Sequence, residues 1–441
     1  MTIPFLSPFY LPGILLFAVL QYCLPAQWKR QSLLIMGIGV CAWTSPLGLG
    51  IATAMSIGVW ILSTVAARAR MHRHIVLVVG GVTLPLIVLK CSSLVFSEVP
   101  VIAGLSFYAL QMAAYIAECC RRKARILRFS EVLGATTFFP TFFAGPIVAS
   151  HTLADHIGDA ESPNDRIGDL AVLRILWGYF KKIVIADRIA MLLTGIYGHP
   201  EAMGVIDSIA IGVLGYIRMY ADYSGYADIA IGSAALLGVR LPENFQLPYL
   251  ATSLRDFWRR WNITLSTWLR EYVYIPLGGS RCNAVQWCVN ILVTFGLSGL
   301  WHGTGMRFLL WGLLHGTWMI LERAWSRTGL IHPIAGWLVT GAFLSSTFFL
   351  LQIPDLATAM DIAHGMFQGV GGSTTLQALK SVVGNVTLVC TAIMLVGEAW
   401  VLSSARTPPK TVWLWITAIL LGLIILHVGA FTSSPFIYAG F

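Results

Sequence analysis

Residues 255–281 read RDFWRRWNITLSTWLREYVYIPLGGSR, and after an apolar run the stretch closes on SGLWHG at 298–303. In a chain that is 57% hydrophobic, this is the densest collection of charge and aromatic rings. At 100° per residue its first half predicts a helix. Arg255, Arg259, Asn262, Ser266 and Arg270 then fall within about 80° of one another, as one polar stripe. Phe257, Trp258, Trp261, Leu265, Trp268, Leu269 and Tyr272 crowd the opposite side. Guanidinium groups on one face and indoles on the other suit a membrane interface. Asn262, among the arginines, offers an amide that can orient a substrate. Pro276, Gly278 and Gly279 predict a turn, and the apolar helix after it ends at Trp301-His302-Gly303.

The rest of the chain sets the solvent for this stretch. It has 441 residues, of which 11% are charged, against roughly 25% in soluble domains. Mean hydropathy is +0.75. Long apolar runs alternate with short basic loops, which predicts an all-α, polytopic membrane protein of roughly ten to twelve embedded helices. The net charge of +9 sits in those loops, so topology accounts for it and nucleic acid is not implied. The eight cysteines lack metal-ligand spacing and form no evident disulfide framework, so no metal site is expected. The first apolar segment follows no basic run and reads as a retained span.

Spans are predicted at 8–26, 31–45, 48–66, 74–90 and 99–118. Basic clusters follow the first, third and fifth: Lys29 and Arg30, then Arg68, Arg70 and Arg73, then Arg121 to Arg128. The positive-inside rule puts that side in the cytoplasm and both termini in the periplasm. Residues 138–147, FFPTFFAGPI, are too short and too broken to span and predict a re-entrant or cavity-lining segment. A polar loop is expected over 151–170. Residues 171–196 carry Arg174, Lys181, Lys182, Asp187 and Arg188 inside apolar sequence, which predicts an interfacial helix or the wall of a wet cavity. Apolar stretches 204–222 and 224–238 are joined at Asp222–Gly225. Asp222 and Asp228 should face the protein interior, either bonding the arginine helix or serving structure alone. A hairpin is expected over 284–301 and 305–322, then spans at 333–352, 382–403 and 411–430. The segment 353–381 is polar, Gly-rich and without a catalytic pattern. No internal repeat stands out, which weakens a transporter reading.

His302 is the main candidate for chemistry. An imidazole can take a proton from an alcohol and return it to a leaving group, as acyl transfer from a thioester requires. The alternative is a histidine satisfied by nearby carbonyls, and sequence alone leaves both open. His315 lies 13 residues further on, up to about 20 Å away along a regular helix, and reads as structural or supporting. Trp301 and Trp311 can line a tunnel or simply pack. Arg255, Arg259, Arg260 and Arg270 can hold the phosphates of a nucleotide thioester or anchor to lipid head groups. Phosphate-loop, HExxH and dinucleotide fingerprints are missing.

The central stretch resembles the membrane-bound O-acyltransferase family, in its bacterial branch containing the alginate O-acetyltransferase membrane subunit. GLSFYALQMAAYIAE (104–118), FFPTFFAGPI (138–147), GYFKKIVIADRIA (178–190), YADYSGYADIAIG (220–232), LPENFQLPYLATS (241–253) and PFIYAGF (435–441) agree. The resemblance covers nearly the whole chain and implies one membrane domain over 1–441, with its signature core at about 104–322. It places the family's histidine on His302. It places the companion polar residue on Asn262, where the alginate-type branch commonly has histidine; an amide cannot be a general base near neutral pH, so this departure puts the weight on His302. It implies an O-acyltransferase, and within that an O-acetyltransferase, of the bacterial inner membrane. Arg255, Arg259, Arg270 and Trp301 become substrate-binding candidates. No bound cofactor is expected; acetyl-CoA or another acyl thioester is the donor. The implied partners are the lipid bilayer, a polysaccharide acceptor and a periplasmic acetyltransferase of the SGNH-hydrolase type. D-alanyl transfer from a carrier protein, and transport of lipid-linked sugars, are the rival readings.

Overall fold

The computed structural model describes residues 4–69, 80–83, 102–160, 165–197, 204–303, 305–326, 332–353, 381–404, 410–431 and 436–437, with single positions near 86–88 and 357–364. Among these residues all regular structure is helical and no strand occurs. The predicted span at 74–90 and the segment 353–381 lie largely outside the described residues.

Among the described residues, five helices are long and apolar enough to cross a bilayer: Pro46–Val65, Ala284–His302, Pro333–Leu351, Gly384–Ser404 and Thr411–Val428. The last, WLWITAILLGLIIL at its centre, is apolar all round and leaves Trp413, Ile416, Ile419 and Leu423 exposed. Side chains facing lipid need no partner, and 18 residues at 1.5 Å each make about 27 Å, close to the hydrocarbon thickness. The chain is thus a multi-pass membrane protein.

The helices at the centre are different. Leu105–Cys120 buries all but one of its residues. Val205–Leu236 runs 32 residues through the core. Here the structure corrects the sequence reading, which broke this helix at Asp222–Gly225. No turn is needed there because Asp222 is paired in place, with Lys182 Nζ at 2.8 Å from its carboxylate. The neighbouring helix Asp165–Tyr179 continues through a π-helical turn, Phe180–Ala186, into Asp187–Tyr197. It is neither interfacial nor the wall of a wet cavity: Lys181 and Lys182 are 0% and 1% exposed. Glycines let the two helices touch. A Cβ on Gly178 would stand 2.6 Å from the Gly225 carbonyl oxygen. That approach sets the lysines against the aspartates.

Two buried ion clusters result. Arg174 pairs with Asp228 at 2.8 Å and with Glu243 at 2.5 Å. Lys181 pairs with Asp228 and, at 3.1 Å, with Glu398. Lys182 lies 2.8 Å from both Asp187 and Asp222. Asp222 and Asp228 therefore do not bond the arginine stretch. A charge at the bilayer centre costs about 2.5–3.5 kcal/mol, and pairing offsets it. Glu398 also accepts from Trp177 Nε1 at 2.6 Å, which ties the late helix Val382–Ser404 to this core. The expected polar loop at 151–170 is instead helical in its first part, Ser150–Gly158, because Leu153, Ala154 and Ile157 form an apolar stripe against Phe129–Thr136.

Candidate active site

The stretch at 255–274 is not one helix. It forms Leu254–Arg260, then Ile263–Leu269, then a π-helical turn at Arg270–Tyr274. The break is at Asn262, whose φ of 41° and ψ of 55° are left-handed. Asparagine tolerates that region better than most residues. The backbone beyond it finds other partners: Ile263 N donates to the Asn244 carbonyl at 3.0 Å, and Thr264 N to Asn244 Oδ1 at 3.1 Å. The single polar stripe dissolves with the helix. Arg255, Arg259 and Arg270 are exposed, whereas Asn262 is buried, at 1% exposure. Arg260 folds back on Asp256 at 3.0 Å.

Glu322 fixes the first half of this stretch. Its carboxylate accepts from Leu254 N at 2.7 Å and from Arg255 N at 3.1 Å, while Ser253 Oγ accepts from Asp256 N at 3.0 Å. Orphan donors of a helix start are thereby satisfied. At the other end Trp268 Nε1 donates to the Leu110 carbonyl at 2.9 Å, and Tyr272 OH to Glu118 at 3.2 Å.

Asn262 meets a buried irregular segment. Phe139–Phe142 is one short helical turn, and Phe143–Val148 continues as buried coil, so this segment forms no spanning helix. Irregular backbone at this depth must be covered and bonded. Tyr226 OH accepts from Ala144 N at 2.9 Å and faces the Pro140 carbonyl at 3.3 Å. Thr264 Oγ1 accepts from Ile147 N at 3.0 Å. Tyr223 OH lies 3.2 Å from Asn262 Oδ1 and 3.4 Å from the Ala144 carbonyl. One tyrosine thus holds the segment and its neighbour holds the amide. Asn262 Nδ2 has no hydrogen-bond partner among the described residues, which leaves a buried donor for a substrate oxygen.

His302 ends the helix Ala284–His302 and is 1% exposed. The hairpin with Met306–Ser326 closes tightly. A Cβ on Gly299 would stand 2.2 Å from the Phe308 carbonyl oxygen, and one on Gly312 the same distance from that of Phe295. Close backbones bring Trp311 edge-on to His302, with centroids 5.0 Å apart, and Trp301 flanks the imidazole at 4.9 Å. Trp301 in turn donates Nε1 to the Ser106 carbonyl at 3.1 Å and packs on Phe107 at 5.2 Å. Phe107 lies against Gly145, where a Cβ would come within 3.2 Å of its ring. A continuous path of contacts therefore runs from His302 through Trp301, Phe107 and the Gly145 segment to Tyr223 and Asn262.

His315 lies well inside the upper bound set by a regular helix. Trp311 lies 5.0 Å from His302 and 4.5 Å from His315, so one indole separates the imidazoles. The hairpin places Trp311 beside His302, so the first turns of the second helix do not count as separation. His315 Nε2 is bonded to Thr347 Oγ1 at 3.0 Å.

Sequence reasoning missed Tyr223, Tyr226, Asn244, Thr264 and Glu322 as parts of this arrangement. The signal for the tyrosines was present: YSGY sits in the middle of a core helix beside an aspartate. Nothing local in the sequence pointed to Asn244 or Glu322.

The arrangement joins a buried imidazole, an amide donor and aromatic walls that exclude water. Those are the parts needed to activate a hydroxyl and to stabilise charge on a carbonyl oxygen.

Comparison with known proteins bears on the same residues. Residues 120–353 match the model of the membrane-bound O-acyltransferase family. A probable alginate O-acetylase, AlgI, of Pseudomonas syringae pv. tomato is 31% identical over 76% of this chain and 69% of its own length. A peptidoglycan O-acetyltransferase of Helicobacter pylori is 35% identical over 52% of this chain and 45% of its own. A teichoic acid D-alanyltransferase of Streptococcus thermophilus is 26% identical over 56% and 63%. The matched region holds the broken arginine stretch, the buried segment and the hairpin, and the chain belongs to the membrane-bound O-acyltransferase family and is an O-acyltransferase.

Proposed function

We propose that this protein moves an acetyl group from a thioester donor, acetyl-CoA, to a hydroxyl of an exported polysaccharide or to a periplasmic partner that completes the transfer. The observation that carries the reading is the burial of His302 between Trp301 and Trp311, with Trp301 packed on Phe107 and Phe107 on the Gly145 segment that Tyr223 ties to Asn262. His302 removes the proton of the acceptor hydroxyl as its oxygen attacks the thioester carbonyl. The amide of Asn262 donates to the oxygen that gains charge. The carbon–sulfur bond then breaks, and the imidazolium returns its proton to the leaving thiolate. Exposed Arg255, Arg259 and Arg270 receive the donor's phosphates on the basic, cytoplasmic face.

The acetylated-polysaccharide reading is supported by relatives named as O-acetylating enzymes at 31% and 35% identity. D-alanyl transfer rests on a relative at 26% and ranks second. The test is ester-linked acetyl on envelope polysaccharide in a deletion strain of the source bacterium, complemented by wild type or by His302→Ala at matched membrane levels. Restoration by wild type alone is expected. Restoration by both would remove His302 from the chemistry, and loss of ester-linked D-alanine instead of acetyl would change the donor.

A further inference from the structure

A cavity of about 130 Å³ lies away from His302, between the helices Ala26–Thr44, Phe129–Thr136 and Ser150–Gly158. Its lining is divided by chemistry. Leu33, Leu34, Gly134, Ala135, Ala154 and Ile157 form an apolar wall, whereas Arg30, Gln31, Arg128, Ser130 and Glu131 form a polar mouth. Trp28 and Lys29 directly precede Arg30 in the chain, Arg125 reaches Glu131 at the mouth, and Trp28 is exposed. An exposed indole beside a row of cations marks the level of lipid head groups.

The charges at the mouth do not cancel. Glu131 accepts from Arg30 at 2.5 Å, from Arg125 at 3.1 Å and from Arg128 N at 2.6 Å. Asp155 takes the second fork of Arg125 at 2.8 Å. The Arg128 guanidinium makes no ion pair among the described residues and stands close enough to Arg30 to repel it. Three guanidinium groups thus face two carboxylates, with one positive charge left over at the opening.

We propose that this cavity binds the phosphate-ester head group of an anionic phospholipid. Arg30 and Arg128 receive the phosphate, Ser130 adds a hydroxyl, and the apolar wall covers the first carbons of the acyl chains as they leave for the bilayer. The size fits this division. Sites that enclose a drug-sized ligand run to roughly 300–1,000 Å³, so a smaller cavity takes a head group and leaves the tails outside. The charge decides between lipids: a surplus cation prefers a net-anionic head group over a zwitterionic one. The bound lipid would hold Phe129–Thr136, the helix that runs directly into the buried segment beside the candidate active site.

The test is lipid binding by native mass spectrometry and by thermal unfolding of the purified full chain in detergent. The arms are phosphatidylglycerol, phosphatidylcholine, inorganic phosphate and adenosine 3′,5′-bisphosphate. Two variants attack the site independently. Arg128→Gln removes an exposed charge. Gly134→Leu keeps every charge and fills the cavity from its apolar side, where a Cβ meets only Leu34 at 3.7 Å. Wild type should bind phosphatidylglycerol about tenfold more tightly than phosphatidylcholine, and each variant should lose about that factor. Equal binding of both lipids, or variants that bind phosphatidylglycerol as wild type does, would overturn the proposal. Stabilisation by inorganic phosphate or the bisphosphate that Arg128→Gln abolishes, with none by the lipid, would assign the site to a soluble phosphate instead. The acyltransfer reading is untouched by any of these outcomes.

Discussion

Two groups of buried polar side chains sit a few turns apart in this protein, and they are built on opposite rules. Around Lys181 and Lys182, charges meet counter-charges in two clusters: Arg174 and Lys181 with Asp228, Glu243 and Glu398, and Lys182 with Asp187 and Asp222. His302 and Asn262 lie outside these ion pairs, and His302 is walled by indoles. Ion pairs with full partners hold helices together and have nothing left to offer a substrate. An amide with an open donor, as on Asn262, costs less to bury than a lone charge and keeps capacity for a reaction. Charge inside a membrane helix is a functional signal by default, but here the more charged region is the scaffold.

The sharpest way to break this contrast is to remove one member from each side. His302→Ala should lower acyl transfer by about 10²–10⁴-fold with normal membrane levels and unfolding temperature, measured as acetyl ester formed per unit of protein. Asp228→Ala should do the reverse. It leaves Lys181 and Arg174 without a shared partner, and breaking a buried pair costs about 3–5 kcal/mol. Little folded protein should then reach the membrane fraction, as read by detergent gel filtration. Full-length Asp228→Ala with wild-type stability would show that the network is not the scaffold.

Asn262 separates side chain from backbone. Asn262→Gly keeps the left-handed conformation and loses the amide, so a drop of about 10²-fold in kcat without added backbone strain is expected. Asn262→Ala should lose the same activity and, in addition, about 1–2 kcal/mol of stability from backbone strain. Equal stability of the two variants would remove the strain argument. The smallest effect is expected from Tyr223→Phe, which frees Asn262 Oδ1 without touching the ring packing on Phe245 at 5.2 Å. A loss of a few-fold in kcat/KM, about 1 kcal/mol, should follow in a steady-state assay.

Much of this was legible in the sequence. Thr411–Val428 reads as a span because nothing in it needs water. The FFPTFFAGPI segment reads as irregular because Pro140, Gly145 and Pro146 cannot continue a helix, and His302 reads as a candidate because it is a lone imidazole at a break between apolar helices. The failures share one cause. The arginine stretch has flawless helical periodicity, yet it breaks at Asn262 because Asn244, 18 residues earlier, offers its backbone other hydrogen bonds. The helix Val205–Leu236 has a polar interruption and does not break, because Lys182 meets it from another helix.

The sequence by itself determined that the chain is helical, that it crosses a membrane and which residue types are available for acyl transfer. Those properties follow from apolar length, basic loops and side-chain chemistry, and they are local. Only the tertiary structure decided which buried groups are spent on one another and which remain open. That depends on pairs far apart in the chain, Lys181 with Glu398, Trp301 with Ser106, Leu254 with Glu322. A hydrogen bond or ion pair is settled by distances of a few ångströms, and helix packing alone sets those distances.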